Sequence, residues 1–416
     1  MNNIKKDKIY ANVGFVFLIL LALDFFDCIP IKNTFNLPLT RQLLGIGITI
    51  LTIPQLLSRR CIFRNEYIII IVSLILCSFS SYILYNQNFY ESFKGISNYL
   101  FGLSIYLYAL HFRINESFVL KLLIILSLCF LTILIIQQFS YPKYIFCGRI
   151  EREWNQTLEI RMGLYRFTLH GIWLVVLTMM LVFPKLMSLK NGRFWYIVLF
   201  VLLLGSVVIN LERKVLYSCF ATLLIGLLYY RGFTYKKMIL FLFIIAVSFF
   251  LLEYMEDLNE RTNSELNDSN FVRFLAMKYF LFDMNSSVLY YLFGAGLPGA
   301  SSLGNKIDKL EDMYSYFLVD IGVIGYMVKV GIIGLISYLL VVYKIISKRH
   351  CLDIGLLMFL FSFLLVCIFK FWGNHISDIA TFSIYMYLIN CNIRRHTFSN
   401  TFSLILKHKE RYECNL

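Results

Sequence analysis

Charged residues are scarce in this chain. They make up 15% of its 416 residues, whereas hydrophobic residues make up 59%. The mean hydropathy is +0.70. This composition lies outside the range of soluble globular proteins, and the apolar runs reach the roughly 20 residues that cross the hydrocarbon of a bilayer. The sequence therefore excludes a soluble globular fold and predicts an integral membrane protein.

Paired cysteines and a cleavable leader are also lacking. The ten cysteines form no C-x-x-C pair and lie mostly within apolar runs, which is typical of small buried side chains and indicates neither a metal site nor a disulfide framework. The first apolar run follows a basic segment and ends at Asp24 and Asp27 without a small-residue cleavage site. We therefore expect it to stay in the protein as the first span.

About twelve apolar segments are long enough to be membrane-spanning helices. They predict an all-α polytopic membrane protein with a single integral membrane domain over residues 1–416. One large loop, residues 256–320, separates the ninth and tenth spans, and a tail covers residues 392–416. The predicted spans are residues 10–28, 42–57, 67–85, 95–112, 118–138, 165–184, 194–210, 214–230, 237–254, 321–344, 354–372 and 376–391.

Lysine and arginine concentrate in every second connection between these spans. Basic residues near span ends are retained in the cytoplasm, so both termini and the tail are predicted to be cytoplasmic. The large loop then lies on the outer face, which is periplasmic in a Gram-negative bacterium. The expected location is the bacterial plasma (inner) membrane.

Two connections on the predicted outer side depart from this charge rule. Residues 139–165 and the start of the next span carry Arg152, Arg161 and Arg166, and a short hairpin holds Arg213 and Lys214 at the outer interface. Cations at that depth snorkel or meet an anion, and guanidinium groups bind phosphate with paired donors. We predict that they bind a lipid pyrophosphate. The alternative is pairing with ordinary anionic lipid or with Glu151, Glu153, Glu159 and Glu212.

The large loop contains a predicted amphipathic helix over residues 268–283, which Asp268 or Ser269 can cap. It carries Arg273 and Lys278, which would lie near the lipid headgroups. Either these cations only touch lipid, or the helix directs Arg273 into a cavity beside Arg213. Both interpretations stay open.

Glycines and acidic residues follow this helix. Gly294 and Gly296 in FGAGLPG favour a tight turn where the backbone approaches another group. Asp312 and Asp320 bring carboxylates to the mouth of the tenth span, where one of them could activate an acceptor hydroxyl in a glycosyl transfer. The alternative role of Asp320 is a helix cap. The tenth span also contains four glycines, which predict close helix packing: Gly322, Gly325, Gly331 and Gly334.

Taken in order, these motifs resemble a known family. ERKVLYSCFATLLIGLL, FVRFLAMKYF, FGAGLPG and the acid-x-G-x-x-G that begins at Asp320 are together similar to the superfamily of O-antigen polymerases (Wzy) and O-antigen ligases. The resemblance covers roughly residues 207–334 by motif and the whole chain by topology. The D-I-G-x-I-G form, followed by G-I-I-G, is more similar to polysaccharide polymerases. The eleven-residue spacing of Arg152 and Gly163 also resembles polymerase outer loops.

The ligase branch differs from this chain at the end of the large loop. Ligases carry there a His-Asn pair ahead of Tyr-Leu, and a Glu two residues before the first glycine of G-x-x-G. This loop has no histidine. Asp312 and Tyr314 lie near the place of that histidine, and Asp320 takes the place of the Glu.

The resemblance implies a metal-independent glycosyltransferase without a cofactor. The growing glycan of an O antigen, capsule or exopolysaccharide would move from undecaprenyl pyrophosphate to a lipid-linked repeat unit. Arg213 and Arg273 would hold the pyrophosphate, and Asp320 or Asp312 would activate the acceptor hydroxyl. The implied partners are lipid-linked oligosaccharides, membrane lipid, a chain-length regulator and a flippase, and no nucleic acid. The predicted substrate-binding residues are Arg152, Arg161, Arg166, Lys214, Lys278, Gly294, Gly296 and Tyr314.

Two further classes remain as alternatives beside the ligase. A transporter of lipid-linked oligosaccharide would be expected to have broken helices at mid-membrane, and Lys329 and Lys370 are the main charges within spans. An unrelated glycosyltransferase would place its acids in the first outer loop, where Asp24 and Asp27 lie.

Two histidines near the outer side are interpreted separately. His170 is interpreted as a hydrogen-bonded helix-packing residue. His375 is expected to lie close enough to face the cavity.

Overall fold

The computed structural model describes residues 2–58, 60–146, 160–161, 164–165, 167, 169–187, 193–229, 271–298 and 302–413. Within these ranges the chain is almost entirely helical. The two short strands, β1 (Ile160–Arg161) and β2 (Leu164–Tyr165), form an antiparallel pair with Ile160 opposite Tyr165.

Sixteen α-helical segments follow one another in the described ranges. They are α1 (Asn2–Ala22), α2 (Asp24–Asp27), α3 (Ile29–Thr34), α4 (Leu37–Leu57), α5 (Arg64–Tyr85), α6 (Phe89–His111), α7 (Glu116–Ser140), α8 (Ile172–Met187), α9 (Arg193–Ile209), α10 (Arg213–Tyr229), α11 (Val272–Lys278), α12 (Val288–Phe293), α13 (Ser302–Tyr314), α14 (Gly322–Ser347), α15 (Ile354–Val366) and α16 (Ile376–Glu413). A π-helical turn, Tyr279–Asp283, continues α11, and 3₁₀ turns lie at Arg349–Cys351 and Trp372–Asn374.

Asparagine side chains begin three of the long helices. Asn36, Asn88 and Asn115 precede α4, α6 and α7, and each side-chain oxygen accepts a hydrogen bond from a backbone N–H in the first turn. Those N–H groups have no partner within the helix, so the caps fix where each helix starts.

The described helices form a membrane protein of the all-α class. Four of them are long and apolar enough to cross a bilayer: α4, α5, α7 and α14. Three shorter apolar helices, within α8, α9 and α15, accompany them. The prediction of about twelve spans remains a prediction, because the predicted ninth span, residues 237–254, lies outside the described residues.

Several helix boundaries differ from the predicted spans. The first helix ends at Ala22 instead of residue 28, and the sixth begins at Ile172 instead of residue 165. Of the predicted amphipathic helix, the described part begins at Val272 after Phe271, and the predicted caps, Asp268 and Ser269, lie outside the described residues. The last helix continues to Glu413 through most of the predicted tail. Hydrophobicity predicts where a helix can lie in lipid, but it does not mark where the backbone leaves the helix.

The long helices pack into one bundle, and we name its two ends after Asp24 and Glu66. The Asp24 end is where α1 ends and α4 begins. At the opposite, Glu66 end, Lys344 of α14 donates to Glu66 of α5 at 2.8 Å, and Arg395 of α16 pairs with Glu116 of α7. Helix α4 packs along α6, and α6 packs along α16.

Candidate functional site

A cavity of about 300 Å³ lies at the Asp24 end, and six of the side chains on its wall, besides the hydroxyl side chains of Tyr99 and Ser377, are polar or charged. Two atoms in this wall, Arg41 Nε and Asn98 Oδ1, are buried and have no hydrogen-bond partner among the described residues. A buried donor and a buried acceptor without partners are costly. The cavity therefore fits a ligand that brings both anionic and hydroxyl groups. The six side chains are those of Asp24, Arg41, Asn98, His170, Lys329 and His375.

A left-handed turn places the first carboxylates of this site. The four residues of α2, Asp24–Asp27, have φ angles of 50°, 52°, 56° and 61°. Each such residue costs about 1–2 kcal/mol when it carries a Cβ atom. A run of four persists only where surrounding contacts hold it, and strain of this kind concentrates at functional sites.

The connection after α7 supplies some of these contacts. The Ile29 N–H donates to the Ile145 carbonyl at 2.9 Å. Gln137, which is fully buried, accepts from the backbone N–H groups of Ile145 and Phe146 at 2.8 and 2.7 Å. The side chain of Gln137 thus satisfies the backbone N–H groups of residues 145 and 146 and fixes the segment that pairs with Ile29, just after α2.

Asp27 is the last residue of this turn and is 0% exposed. Its Oδ1 accepts from Lys32 Nζ at 2.6 Å and lies 2.7 Å from His170 Nδ1. Its Oδ2 accepts from the His170 backbone N–H at 2.7 Å. A carboxylate with three such partners is fully satisfied, and it fixes the orientation of the His170 ring.

The same contacts set the protonation of the pair. Burial raises the pKa of Asp27, but the hydrogen bond and charge of His170 and the hydrogen bond of Lys32 outweigh it and hold the pKa below 3.8. Burial lowers the pKa of His170, but the hydrogen bond and charge of Asp27, with smaller contributions from Asp24 and Asp378, raise it above 6.5. Both shifts therefore favour the charged forms of the pair, a carboxylate and an imidazolium.

Asp24 and Arg41 form the second ion pair of the cavity. Arg41 donates from one terminal nitrogen to Asp24 Oδ1 at 2.6 Å, and Arg41 is only 8% exposed. Donor atoms of Asp24, Asp27 and His170 all lie within 4.8 Å of one another, a spacing that could suit a cation. Lys32 and Arg41 already bring positive charge to both carboxylates, so this cluster is better described as two side-chain ion pairs.

The FGAGLPG segment docks against a break in α14. Helix α14 is interrupted at Gly331, whose φ is 74° and ψ 178°. The Ala295 and Gly296 N–H groups donate to the carbonyls of Val328 and Lys329 at 2.6 and 3.0 Å. A broken helix at membrane depth is tolerated where protein satisfies the freed carbonyl groups. The predicted close backbone approach at Gly294 and Gly296 is thereby explained.

Helix α5 and the residues just after it contact the same segment from the other side. Ser80 donates to the Gly294 carbonyl at 2.5 Å, and Gln87 donates to the Leu297 carbonyl at 2.8 Å. Leu297 lines the cavity together with Lys329, which lies two residues before the break and is 7% exposed. The charge of Glu311 acts on the Lys329 ammonium. The helix break thus brings a lysine of a membrane-spanning helix to the cavity wall.

A second charged cluster contains several of the predicted site residues. Lys370 Nζ donates to both oxygens of Glu212 at 3.0 and 3.1 Å. Lys214 Nζ lies 3.9 Å from Glu212 and 3.9 Å from Asp320. Lys214 is also close enough for the charge of Arg273 to act on it. The structure thus brings Asp320 and Arg273 near Lys214, whereas a pyrophosphate site at Arg213 and Arg273 stays a prediction.

Asp378 connects this cluster with the cavity. It is 3% exposed, and its charge acts on both His170 and Lys370. Its Oδ2 has no hydrogen-bond partner among the described residues. The two charged regions therefore belong to one electrostatic unit at the same end of the bundle.

The other predicted site residues lie apart or cannot be placed. Asp312, Tyr314 and Lys278 are exposed. The structure does not place Asp312 or Asp320 on the cavity wall. Arg213 begins α10 and is half-buried, close enough for its charge to act on Tyr217. Arg161 lies in β1, and only its backbone is described. Three further predicted residues lie outside the described ranges: Arg152, Gly163 and Arg166.

The alternative role of Asp320, a helix cap, is not observed. The residue before α14 is Ile321, and no side chain caps that helix. The resemblance gave no role to the residues that line the cavity. In the sequence, the position of Asp24, Asp27 and His170 beside apolar runs was a weak indication of a functional role. No sequence pattern pointed to Arg41.

Comparison with models of protein families finds no match, and no curated protein matches the chain.

Proposed function

We propose that this chain is a polymerase of surface polysaccharide repeat units, either of O antigen, of capsule or of exopolysaccharide. It is a metal-independent glycosyltransferase that transfers the growing glycan from undecaprenyl pyrophosphate to a lipid-linked repeat unit. The observation that supports this most is the cavity of about 300 Å³, which combines cations, one carboxylate and two buried polar atoms that have no hydrogen-bond partner in the described part of the chain. A diphosphate leaving group and a sugar acceptor need this combination.

The proposed reaction uses the groups on the cavity wall. The acceptor hydroxyl attacks C1 of the donor sugar, and the C1–O bond to the diphosphate breaks, so that the diphosphate leaves with the electron pair. Arg41 and Lys329 stabilise the charge that develops on the leaving oxygen. Asp24, held by Arg41 at 2.6 Å, takes the proton of the attacking hydroxyl. Asn98 Oδ1 accepts from a second sugar hydroxyl.

The second charged cluster suits the second lipid carrier. Polymerisation brings two lipid diphosphates to the enzyme, one on the donor and one on the acceptor. Arg213, Arg273 and Lys214 are proposed to bind the acceptor's diphosphate, with Asp320 holding Lys214 at 3.9 Å. This assignment moves the proposed base from Asp320 to Asp24.

The proposed orientation places the Asp24 end outside the bacterial plasma membrane and both termini in the cytoplasm. Basic side chains at the Glu66 end, such as Lys344 and Arg395, support it through the retention of positive charge in the cytoplasm. Alkaline phosphatase, which is active only outside the cytoplasm, should be active when fused after Tyr314 and inactive after Arg113. The reverse pattern would reject the orientation.

The function is tested with purified protein in proteoliposomes that contain an undecaprenyl-pyrophosphate-linked repeat unit. The wild type should produce a ladder of lengthened glycans and release one undecaprenyl pyrophosphate per bond formed. Arg41→Ala should lower the rate by about 10²–10³-fold, because a preorganised donor to the leaving group is lost. The matched control is Lys309→Ala, which removes an exposed cation from α13. Release of carrier lipid by the wild type without lengthening would refute the polymerase.

Two other functions make different predictions in the same assay. An O-antigen ligase would move the glycan to a different lipid acceptor without lengthening it. A transporter of lipid-linked oligosaccharide is favoured by the break of α14 at Gly331, since transporters use discontinuous helices. It would carry the intact lipid-linked unit across the bilayer and release no carrier lipid.

Arg213→Ala and Arg273→Ala are each expected to abolish long glycan chains in the native bacterium while leaving single repeat units. Lysine at either position should rescue poorly, because a guanidinium binds phosphate with two parallel donors and an ammonium does not. The glycan chain length is read on a gel. A variant with the wild-type chain length removes that arginine from the proposed site.

A further inference from the structure

We propose that His170, held by Asp27, is a proton-dependent diphosphate-binding group of the cavity, which captures the lipid diphosphate when its ring is an imidazolium and releases it when the ring is neutral. This inference rests on the proposed function for the identity of the ligand. It goes beyond that function because it assigns a binding step to a residue outside every motif of the family resemblance.

The His170 ring contacts Asp27 and also lines the cavity. His170 Nδ1 lies 2.7 and 2.9 Å from the two oxygens of Asp27, so that edge of the ring is occupied. His170 also lines the cavity, and its side chain is 29% exposed. The remaining ring nitrogen, Nε2, is therefore the one that can donate to a ligand there. A metal-independent site that binds phosphate uses such donors.

Acidic side chains surround the His170 ring. The groups whose charges act on His170 are Asp27, Asp24 and Asp378, and the ring of His375 lies 5.9 Å away. Lys32 and Arg41 balance Asp27 and Asp24 through their ion pairs. An imidazolium between them can bind an anion, whereas a neutral ring would leave the diphosphate one charge-assisted bond short.

The carboxylate that binds the His170 ring belongs to the left-handed turn. Asp27 has a φ of 61° in a run of four left-handed residues, and its carboxylate binds both the backbone and the ring of His170. A residue that served only to pack helices would not require a strained, fully buried carboxylate. The strain is explained if Asp27 acts as a positioning residue for the ring that meets the ligand.

The test measures binding of inorganic pyrophosphate to the full chain in nanodiscs of neutral lipid, from about pH 5 to pH 8. Wild-type affinity should fall roughly tenfold or more as His170 loses its proton. His170→Gln should bind weakly at every pH, and His170→Arg should keep tight binding at the upper end. Asp27→Asn should move the loss of binding to lower pH, because the counter-charge is gone. Pyrophosphate itself gains protons in this range, so each curve is compared with that of His170→Gln.

The matched control is His111→Gln, which removes an exposed histidine at the end of α6 and should reproduce the wild-type curve. Size-exclusion profiles show whether each variant is folded. If Asp27→Asn does not fold, His170→Gln still provides the test, because it retains the Lys32–Asp27 ion pair. Wild-type affinity and pH dependence in His170→Gln would overturn the proposal.

A competition step identifies the source of the phosphate. Undecaprenyl pyrophosphate should displace the bound pyrophosphate, whereas phosphatidylglycerol should not. Equal displacement by both lipids would mean that the cavity recognises any lipid phosphate and would reject the diphosphate assignment. This binding test needs no acceptor sugar. Pyrophosphate can therefore bind as proposed even if the chain proves not to transfer glycan, so the two proposals can fail separately.

Discussion

Replacing Gly331 with alanine is expected to destabilise the folded protein by about 3 kcal/mol or more. With φ 74° and ψ 178°, Gly331 occupies a backbone conformation that is essentially restricted to glycine. An added Cβ would also lie 2.5 Å from the backbone nitrogen of Phe293. Neither strain can be relieved by a side-chain rotation, because the obstructing atoms belong to the backbone.

The matched control is Gly205→Ala in α9, where an added Cβ meets no atom within 4 Å. Replacing a helical glycine in open space with alanine should stabilise the folded protein by up to about 1 kcal/mol. Both variants are purified in the same detergent, and their yield and apparent melting temperature are compared. Equal melting temperatures for Gly331→Ala and Gly205→Ala would show that α14 is not broken as described.

A double variant tests whether the break and the FGAGLPG segment form one unit. Gly294 has a φ of 81°, and an added Cβ would lie 2.6 Å from the nitrogen of Gly331. The two substitutions push apart the same pair of backbone segments. Their effects on stability should therefore be less than additive, and simple additivity would count against a shared contact.

The class of the fold could be predicted from composition and hydrophobic runs, but its irregular features could not. Runs of apolar residues predicted helices at the places of α4, α5, α7 and α14. The glycines of the tenth span predicted close packing, and Gly331 does pack closely against the backbone of Leu292. The helix break at Gly331 was not predicted. The segment that docks there contains Ala295, whose N–H donates to the carbonyl of Val328. These two residues are more than thirty positions apart, and a contact of that separation leaves no periodic signal in the sequence.

The candidate site was only partly predictable for the same reason. The resemblance drew attention to Lys214, Asp320 and Arg273, which do lie near one another. The cavity instead combines Arg41 of α4 and His170 before α8 with Asp24 of the left-handed turn. A left-handed turn of four residues with side chains runs against local backbone preference, so no propensity argument predicts it. Only tertiary contacts such as those of Gln137 can hold it.

Asp27→Ala is expected to destabilise the protein by about 3–5 kcal/mol, because it leaves buried charges without their partner. Lys32 and His170 lose the carboxylate that binds them at 2.6 and 2.7 Å, and the strained turn loses the contacts that hold it. Thermal unfolding of the detergent-purified protein gives the measurement. Asp308→Ala, an exposed position on α13, should stay within about 0.5 kcal/mol of the wild type.

The pH dependence separates the lost ion pair from a simple packing defect. The lowered pKa of Asp27 contributes stability that is present above 3.8 and is lost as the pH falls through the folded-state value. The raised pKa of His170 contributes stability that is fully present below 6.5 and is lost as the pH rises through the folded-state value. The gap between the wild type and Asp27→Ala should therefore be widest between these two pH values and narrow on both sides. A gap of constant size would mean that Asp27 contributes packing alone, because only the charged pair changes with pH.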